Sequence, residues 1–353
     1  MENNKQQTLV ILTPGFPANE ADSTCIPPQQ IFVKALNEIE PELNIIVLTF
    51  IYPFFSAEYD WNGVKVISFG GKDKGSVYRK LTGIKVWLVL KKLNKQHQII
   101  GLLSFWMGKC AYIGNAFAKK YKLPHYCWVL GQDAKAGNKY VTKIKPAATA
   151  LIALSDFIAR EFNKNHGVLP GHIIPVGIDT TLFKTDQVER DVDLLGAGSL
   201  ISLKQYDIFL EMVSSLKTIL PDVKAVICGG GPEKERLLAQ IDVMDLTANV
   251  TLTGVLPHAE VLAMMQRSKI FLHTSEYEGF GAVCLEALYA GAQVVSFVRP
   301  MEAEIKNWHI ATGKENMLNI LKAILNNREI NHEPVLPYTI QANAEAMMGL
   351  FEL

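Results

Sequence analysis

The sequence predicts an α/β protein built from two Rossmann-like, doubly wound domains that face each other across a cleft. Its 353 residues are about twice the length of a typical single domain. Short apolar runs, typical of buried parallel strands, alternate with helical segments along the whole chain. The charge also changes sign midway. Of the 35 basic and 35 acidic residues, 22 and 13 lie in residues 1–185, so this half carries +9 and the remainder −9.

Strands are predicted where apolar and β-branched residues run together, and helices where apolar residues recur at helical spacing. In the first half these segments are the strands TLVILTP, LNIIVLTF, QIIGLLSF, HYCWVL and ALIALS and the helices IFVKALNEI, AYIGNAFAKKY and DFIAREFNKN. The second half has the strands DLLGAGSL, AVICGG, VTLTG, IFLHTS and AQVVSF, with the helices YDIFLEMVSSLKTI, EKERLLAQI, HAEVLAMMQRS and AVCLEALYA. The alternation predicts two parallel sheets, each covered on both faces.

The domain boundary is predicted in the polar stretch FKTDQVERD, which separates a PVGID turn from the next apolar strand. We therefore predict an N-terminal domain over residues 1–185 and a C-terminal domain over 186–337. The final segment, residues 338–353, has a helical pattern with Ala, Met, Leu and Phe on one side. Ligands of such sheets bind at the carboxyl ends of the strands, near helix N-termini.

Composition narrows the class of protein. Hydrophobic residues make up 49% and charged residues 20%, which favours a soluble globular protein over a disordered one. The five cysteines and eight histidines are scattered without metal-ligand spacing. The polar N-terminus does not resemble a signal peptide, and no stretch reaches the roughly 18 apolar residues of a membrane span. We expect a cytoplasmic protein with no metal, no cofactor and no nucleic-acid partner.

Residues 72–95 form a basic segment, with eight basic residues against one acid. Its second part is apolar with lysines along the margin. A segment of this kind can lie on an anionic membrane surface, which would place the protein on the inner face of the membrane. The alternative, which we favour slightly, is an ordinary helix that faces the core and keeps its lysines in solvent.

The stretch SEYEGFGAVCLEALYAGAQVVSF contains the clearest chemical signal. A strand, IFLHTS, precedes a glycine-containing loop and then a helix predicted to begin at about Gly281. Gly279 and Gly281 let the backbone approach a ligand closely, and the helix N-terminus offers N–H groups to an anion. This arrangement indicates a diphosphate site.

Two carboxylates flank that helix start. Glu278 lies in the loop and Glu286 lies on the helix, on the order of 10 Å away. Ionised carboxylates accept hydrogen bonds from hydroxyl groups. The pattern predicts a nucleotide sugar, with its ribose on one glutamate and its hexose near the other. The alternative, two solvated acids, leaves the glycines around Phe280 unexplained.

The same residues resemble the retaining family 4 glycosyltransferases of the GT-B fold, whose E-x7-E element is written EGFG….EA…G.PVV. Four further segments match the family in order: GSLISLKQYD, VICGGGPEKERL, LTGVLPHAEVLAMM and IIPVGIDTTLF. The resemblance covers most of residues 8–300. It implies a nucleotide-sugar donor, with UDP or GDP expected, bound mainly by the C-terminal domain. It also implies a saccharide or lipid-linked acceptor bound by the N-terminal domain, which the terminal helix 338–353 rejoins.

The resemblance implies transfer with retention of anomeric configuration and without a metal. Lys204 is expected to contact the donor diphosphate, Glu286 the ribose, and Glu278 with the backbone at Phe280 and Gly281 the sugar. The catalytic candidates are Glu278, Lys204 and Asp133. The candidates for donor binding are Gly198, Ser199, Lys204, Glu278, Gly279, Phe280, Gly281, Ala282, Val283 and Glu286.

The chain departs from the family pattern at several places. Ser199 stands where the family has an arginine, so one of two expected cationic contacts to the phosphates is missing. Leu130 replaces the histidine of the family's H-G-x-D element, which here reads LGQD and includes Asp133. The N-terminal loop PGFPANEADSTCIPPQQ lacks paired glycines, and the segment after Val295 lacks the family's glycine-rich stretch.

Two weaker signals receive ordinary interpretations. Asp191 and Asp193 form a D-x-D, a metal-binding signature in another glycosyltransferase fold, but they precede a strand and are interpreted as a solvated strand start. His258 could line the cleft, although a surface role is favoured.

Three functions therefore stay open. The leading hypothesis is a glycosyltransferase in cell-surface polysaccharide or glycolipid assembly. The others are a non-catalytic module that binds sugar nucleotides and a glycoside hydrolase that uses the two carboxylates as acid and base.

Overall fold

The computed structural model describes residues 5–71, 76–184 and 188–351. The described residues up to Gly177 and those from Ile340 onward form one compact unit, here called unit 1, and Ile178–Thr339 contains the second, unit 2. The chain thus changes unit at Gly177. The boundary predicted from the sequence, at 185/186, lies outside the described residues.

Unit 1 is built on one sheet. Its described strands are β1 (Gln7–Gly15), β2 (Asn44–Tyr52), β3 (Ser56–Trp61), β4 (Val64–Phe69), β5 (Gln98–Phe105), β6 (His125–Val129), β7 (Leu151–Ala153) and β8 (His172–Ile173). They lie in the order β3-β4-β2-β1-β5-β6-β7-β8. The helices between them are α1 (Pro27–Ile39), α2 (Ser76–Gln96), α3 (Lys109–Tyr121), α4 (Lys139–Ile144) and α5 (Asp156–His166).

The prediction of an all-parallel sheet is wrong for β3, which pairs antiparallel with β4. Asn62 and Gly63 join the two strands with φ angles of 49° and 76°. Two consecutive residues with positive φ are typical of a type I′ hairpin turn, for which Asn-Gly is the preferred pair. The sequence therefore contained a hairpin signal that the strand–helix pattern did not use.

Helix α2 carries most of the basic segment, whose residues 72–75 lie outside the described part of the chain. One face of the helix packs into the core through Val86, Leu90 and Leu93. The opposite face exposes lysines, as the core-facing interpretation predicts, but it also exposes Leu81, Ile84 and Leu88. Aliphatic side chains between lysines are more than a purely solvated face requires.

Unit 2 is built on a parallel sheet. In the described residues its strands are β9 (Val192–Ala197), β10 (Ala225–Cys228), β11 (Val250–Gly254), β12 (Ser268–His273), β13 (Gln293–Ser296) and β14 (Trp308–Ile310), in the order β11-β10-β9-β12-β13-β14. The helices are α6 (Tyr206–Lys217), α7 (Lys234–Val243), α8 (His258–Arg267), α9 (Ala282–Tyr289) and α10 (Lys314–Asn326). Helix α10 was not among the predicted elements.

The chain returns to unit 1 through helix α11 (Ile340–Met348), which packs against α1. Asn343 donates a side-chain hydrogen bond to Pro175 O, and Tyr126 Oη donates to Leu350 O at 2.7 Å. The ring of Phe351 lies edge-on to Tyr126, with centroids 5.0 Å apart. These contacts bury the apolar side of the final segment.

Each sheet has a point at which the strand order reverses. In unit 1 the chain runs from β1 toward β4 on one side and from β5 toward β8 on the other. In unit 2 it runs from β9 toward β11 on one side and from β12 toward β14 on the other. The connections after the two central strands separate there, which leaves a crevice at their carboxyl ends where ligands of open α/β sheets bind. The expected sites are therefore the carboxyl ends of β1 and β5, and of β9 and β12.

Candidate functional site

The predicted donor-site residues gather at the reversal point of unit 2. Gly198, Ser199 and Lys204 lie in the connection that follows β9, and Glu278 to Gly281 lie in the connection that follows β12. Because β9 and β12 are hydrogen-bonded neighbours, their following loops come together at one edge of the sheet. The prediction that the motifs follow strands is confirmed for this unit.

The loop after β9 is packed against the loop after β10, backbone to backbone. Gly198 N donates to Cys228 O at 2.9 Å, and Leu200 N donates to Gly230 O at 2.9 Å. A Cβ atom at Gly229 would overlap the carbonyl oxygen of Gly198, so only glycine fits this approach. The triple glycine of the sequence therefore fixes the path of the Gly198–Ser199 loop.

Lys204 and Glu278 join the two loops through an ion pair. Lys204 Nζ lies 2.5 Å from Glu278 Oε2, and both side chains are largely shielded, at 18% and 24% exposure. The backbones are also connected, because Thr274 Oγ1 donates to Lys204 O at 2.8 Å and Glu276 N donates to Leu203 O at 3.2 Å. These bonds place a cation and a carboxylate at the reversal point with little freedom to move.

Glu278 is held in its ionised form. Burial opposes ionisation, but the hydrogen bond from His273 and the charge of Lys204 outweigh it and lower the pKa of Glu278 to about 2. Burial also lowers the pKa of His273, whose Nε2 lies 3.4 Å from Glu278 Oε2 and 3.2 Å from Ser275 Oγ. At neutral pH the site therefore presents a carboxylate that can accept hydrogen bonds but cannot act as an acid.

Helix α9 begins at Ala282, as predicted, with Gly281 as its N-cap. Gly281 has a φ of 85°, which favours glycine, and in the described structure no side chain caps the first turn. Phe280 is buried, and its ring packs edge-on against Trp308 and Tyr338 with centroids 6.1 and 5.7 Å away. The buried ring fixes the loop so that the N–H groups of the first turn stay available to an anion.

Glu286, on the second turn of α9, accepts a hydrogen bond from His258. His258 Nε2 lies 2.8 Å from Glu286 Oε1, and the two side chains are 22% and 15% exposed. The interpretation of His258 as a surface residue is therefore wrong. The available signal was its position at the start of α8, directly after β11, because that position lies at the carboxyl edge of the sheet.

Because His258 gains a carboxylate partner on folding, its pKa is raised mainly by the hydrogen bond to Glu286. The pair therefore stabilises the fold fully below the ordinary pKa of 6.5, and this stabilisation is lost as the pH rises through the raised value. We expect His258→Gln to lower the free energy of unfolding by about 1–2 kcal/mol near pH 5.5, and by less near pH 9. Urea unfolding of both proteins at the two pH values measures this difference.

The control for this prediction is the same substitution in a Glu286→Gln background. Without the carboxylate, replacing His258 should produce no extra loss at the lower pH. An equal loss at both pH values in the Glu286 background would show that His258 stabilises the fold by packing alone.

The other donor-site candidates line the same region with different exposure. Gly279 and Gly281 are buried, whereas Gly198, Ala282 and Val283 are half-buried. Ser199 is exposed in the loop after β9. The sequence prediction that these residues come together in space is thus met within unit 2.

Asp133 lies in unit 1, separate from these residues. Its carboxylate accepts backbone hydrogen bonds from Met107 N at 2.7 Å, Gly131 N at 2.8 Å and Leu130 N at 3.2 Å. Burial raises the pKa of Asp133, although these hydrogen bonds act in the opposite direction. This pattern of contacts is typical of a carboxylate that anchors two loops.

The D-x-D pair lies at the start of β9, at the edge of the sheet opposite the candidate site. Asp191 pairs with Arg267, and Asp193 pairs with Lys269 at 2.7 Å and accepts from Lys224 N at 2.9 Å. The interpretation of both acids as solvated is wrong for Asp193, which is only 7% exposed. Within the described ranges, no group of three or more His, Cys, Asp or Glu side chains could hold a metal ion.

The helices in the described part of the chain include none with the length and apolar character needed to cross a membrane.

Comparison with known families gives one match. Residues 178–332 match the family model described as glycosyl transferases group 1. The matched segment lies within unit 2 and includes the Lys204–Glu278 pair and Glu286.

Curated relatives match part of this chain. A phosphatidylinositol N-acetylglucosaminyltransferase from Arabidopsis thaliana is 27% identical over 172 residues, which cover 46% of this chain and 38% of that protein. The 2-deoxystreptamine N-acetyl-D-glucosaminyltransferase of Niallia circulans is 28% identical over 185 residues, which cover 52% and 44%. The chain therefore spans less than half the length of these relatives.

Solved structures resemble the chain over nearly its whole length. A sucrose-phosphate synthase from Thermosynechococcus elongatus superposes with a TM-score of 0.71 at 15% identity, covering 99% of this chain and 97% of its own. Anabaena HepE in complex with UDP-glucose gives a TM-score of 0.68 at 16% identity, with coverage of 98% and 97%. The chain therefore has the GT-B glycosyltransferase fold, as the sequence predicts.

Proposed function

We propose that this protein is a retaining, metal-independent glycosyltransferase that moves a sugar from a nucleotide-sugar donor to a saccharide or lipid-linked acceptor. The observation that carries the proposal is the Lys204–Glu278 ion pair beside the N-terminus of α9. A cation and a helix N-terminus together suit a diphosphate, and an adjacent ionised carboxylate suits the hydroxyl groups of a sugar.

The donor is assigned to unit 2. The diphosphate lies at the first turn of α9, near Ala282 and Val283, with Lys204 as its cationic contact. The sugar hydroxyls bind Glu278 and the backbone at Phe280 and Gly281. The ribose hydroxyls bind Glu286, whose carboxylate is already oriented by His258.

UDP is the nucleotide we expect, and UDP-N-acetylglucosamine is the first donor to test. The solved relatives include structures with UDP, among them Staphylococcus aureus TarM and pneumococcal GtfA. Two curated relatives are named as N-acetylglucosaminyltransferases. GDP remains the alternative nucleotide.

The catalytic contribution of the protein is electrostatic. As the bond between the sugar and the diphosphate breaks, negative charge develops on the diphosphate, and Lys204 and the N-terminus of α9 stabilise it. The acceptor hydroxyl attacks from the face that the nucleotide leaves, and the departing phosphate accepts its proton. Glu278 orients the sugar for this step.

The acceptor is assigned to unit 1, with Asp133 as a candidate residue near it and the anchoring bonds of Asp133 as its evident structural role. The exposed aliphatic side chains of α2, set between lysines, support binding to an anionic membrane surface. We propose a peripheral protein on the cytoplasmic face of the membrane that acts in cell-surface polysaccharide or glycolipid assembly.

The glycoside hydrolase hypothesis is disfavoured by the electrostatics of the site. Such an enzyme needs one carboxyl group that stays protonated at the working pH. The pKa of Glu278 is lowered to about 2, and Glu286 is engaged by a histidine. Neither glutamate fits the role of the acid.

The test combines binding with turnover. We expect UDP at 100 times its dissociation constant to stabilise the protein by about 2.7 kcal/mol, seen as a rise in melting temperature. We also expect UDP release from UDP-N-acetylglucosamine when membrane extract supplies acceptors. Stabilisation without turnover by any UDP- or GDP-sugar would favour the non-catalytic module, and neither effect would overturn the proposal.

A further inference from the structure

Unit 1 has a pocket of its own at the point where its strand order reverses. The cavity has a volume of about 450 Å³, within the range of small-molecule sites. Pro14 at the end of β1, Ile51 at the end of β2 and Trp106 directly after β5 contribute to its wall. It therefore occupies the place in unit 1 that corresponds to the Lys204–Glu278 site in unit 2.

The chemistry of the two places is different. Nine of the twelve residues that line the unit 1 pocket are glycines or carry apolar side chains, including Phe50, Phe54 and Phe105. The hydroxyl of Thr82 is already used, because it donates to Tyr78 O at 3.0 Å. A polar saccharide needs hydrogen-bonding partners, whereas this wall suits a hydrocarbon.

The wall is held in a strained conformation. Trp106 has a φ of 62°, a sparsely populated value for a bulky residue. Hydrogen bonds on both sides maintain it: Trp106 N donates to Trp128 O at 2.9 Å, and Met107 N donates to Asp133 Oδ2 at 2.7 Å. Strain that is fixed by surrounding bonds is concentrated at functional sites. Asp133 is thus a positioning residue for this pocket.

The surroundings of the pocket combine apolar and cationic groups. Phe54 in its wall is 56% exposed, and Leu81, next to Thr82 in α2, is 49% exposed. Lys109 also lines the pocket. The ammonium groups of Lys139 and Lys143 lie 5.6 and 5.9 Å from the ring centroid of Tyr140, which belongs to the lining. A ligand that places an apolar chain inside and a negative charge at the mouth would match both features.

We propose that this pocket binds the hydrocarbon chain of an anionic lipid, next to its phosphate. The inference rests on the proposed function, since the lipid would then be the acceptor or its carrier. The shared chemistry is an apolar chain with a terminal phosphate, and the chain can be saturated or isoprenoid.

The experiment measures binding of octyl, decyl and dodecyl phosphate to the full chain by calorimetry, below their critical micelle concentrations. We expect affinity to rise by roughly fourfold for each added methylene until the pocket is filled. Inorganic phosphate should not bind measurably. Farnesyl phosphate, compared with dodecyl phosphate, distinguishes an isoprenoid from a saturated chain.

The variant is Phe54→Asp, which puts a charge at the mouth and should weaken dodecyl phosphate binding at least tenfold. Phe54→Leu should stay within about threefold of the wild type. Leu169→Asp is the matched control, because Leu169 is also 56% exposed in unit 1 but does not line the pocket. Affinity that is independent of chain length, or equal in the wild type and Phe54→Asp, would overturn the inference.

Stabilisation by UDP, measured on the same samples, separates this inference from the proposed function. Binding of UDP without dodecyl phosphate would reject the lipid pocket alone. Binding of dodecyl phosphate with no nucleotide stabilisation or turnover would reject the proposed function and leave a lipid-binding pocket in unit 1.

Discussion

Lys204→Ala is expected to reduce turnover about a hundred- to a thousandfold, the loss found when a single group that stabilises transition-state charge is removed. Lys204 is the cation that faces Glu278 at the reversal point of unit 2, at 2.5 Å. Since Ser199 stands where the resembled family has an arginine, Lys204 should supply a larger share of the charge on the leaving diphosphate. The measurement is the rate of UDP release at saturating donor.

The same substitution should change the pH dependence of the enzyme. The charge of Lys204 helps to keep the pKa of Glu278 near 2 against the effect of burial. Without it the pKa rises, so the carboxylate becomes protonated and loses its role as an acceptor at a higher pH. We expect the acid limb of the pH–rate profile of Lys204→Ala to lie at higher pH than that of the wild type.

Lys314→Ala is the matched control, because Lys314 forms an ion pair of similar length with Glu211 on the surface of the same unit. That variant should keep nearly full activity. Thermal unfolding of both variants shows whether each is folded. Lys204→Ala with more than a third of the wild-type rate would remove the lysine from the mechanism.

The strands and helices that carry the site could be predicted from sequence because their signals are local. The apolar run IFLHTS, the glycines of EGFG and the helical spacing of AVCLEALYA each lie within a few residues of one another. Together they place Glu278 before a helix start and Glu286 on the helix, as the structure has them. The backbone conformation of Gly281 follows from the same short stretch.

The contacts between segments could not be obtained in this way. His258 and Glu286 are 28 residues apart, and they meet because α8 packs against α9 on one face of the sheet. Asp133 bonds to Met107 across 26 residues through two neighbouring loops. Such pairings depend on strand order, and an apolar run encodes burial without specifying its neighbour. The pocket of unit 1 was missed for the same reason.

Glu286→Gln is expected to weaken UDP binding about ten- to a hundredfold, because hydrogen bonds to a charged acceptor contribute about 1.5–3 kcal/mol. The ribose is bound alike in the ground state and in the transition state, so kcat at saturating donor should change little while KM rises. Glu211→Gln, an exposed glutamate on α6, is the control and should leave both constants unchanged.

The ribose assignment has a sharper test in 2′,3′-dideoxy-UDP. The wild type should bind this analogue as weakly as Glu286→Gln binds UDP, because each change removes one side of the same hydrogen bonds. The variant should then no longer distinguish the two ligands, since the loss is already complete. If Glu286→Gln still prefers UDP by tenfold or more, the ribose lies elsewhere, and the buried His258–Glu286 pair serves to hold α8 against α9.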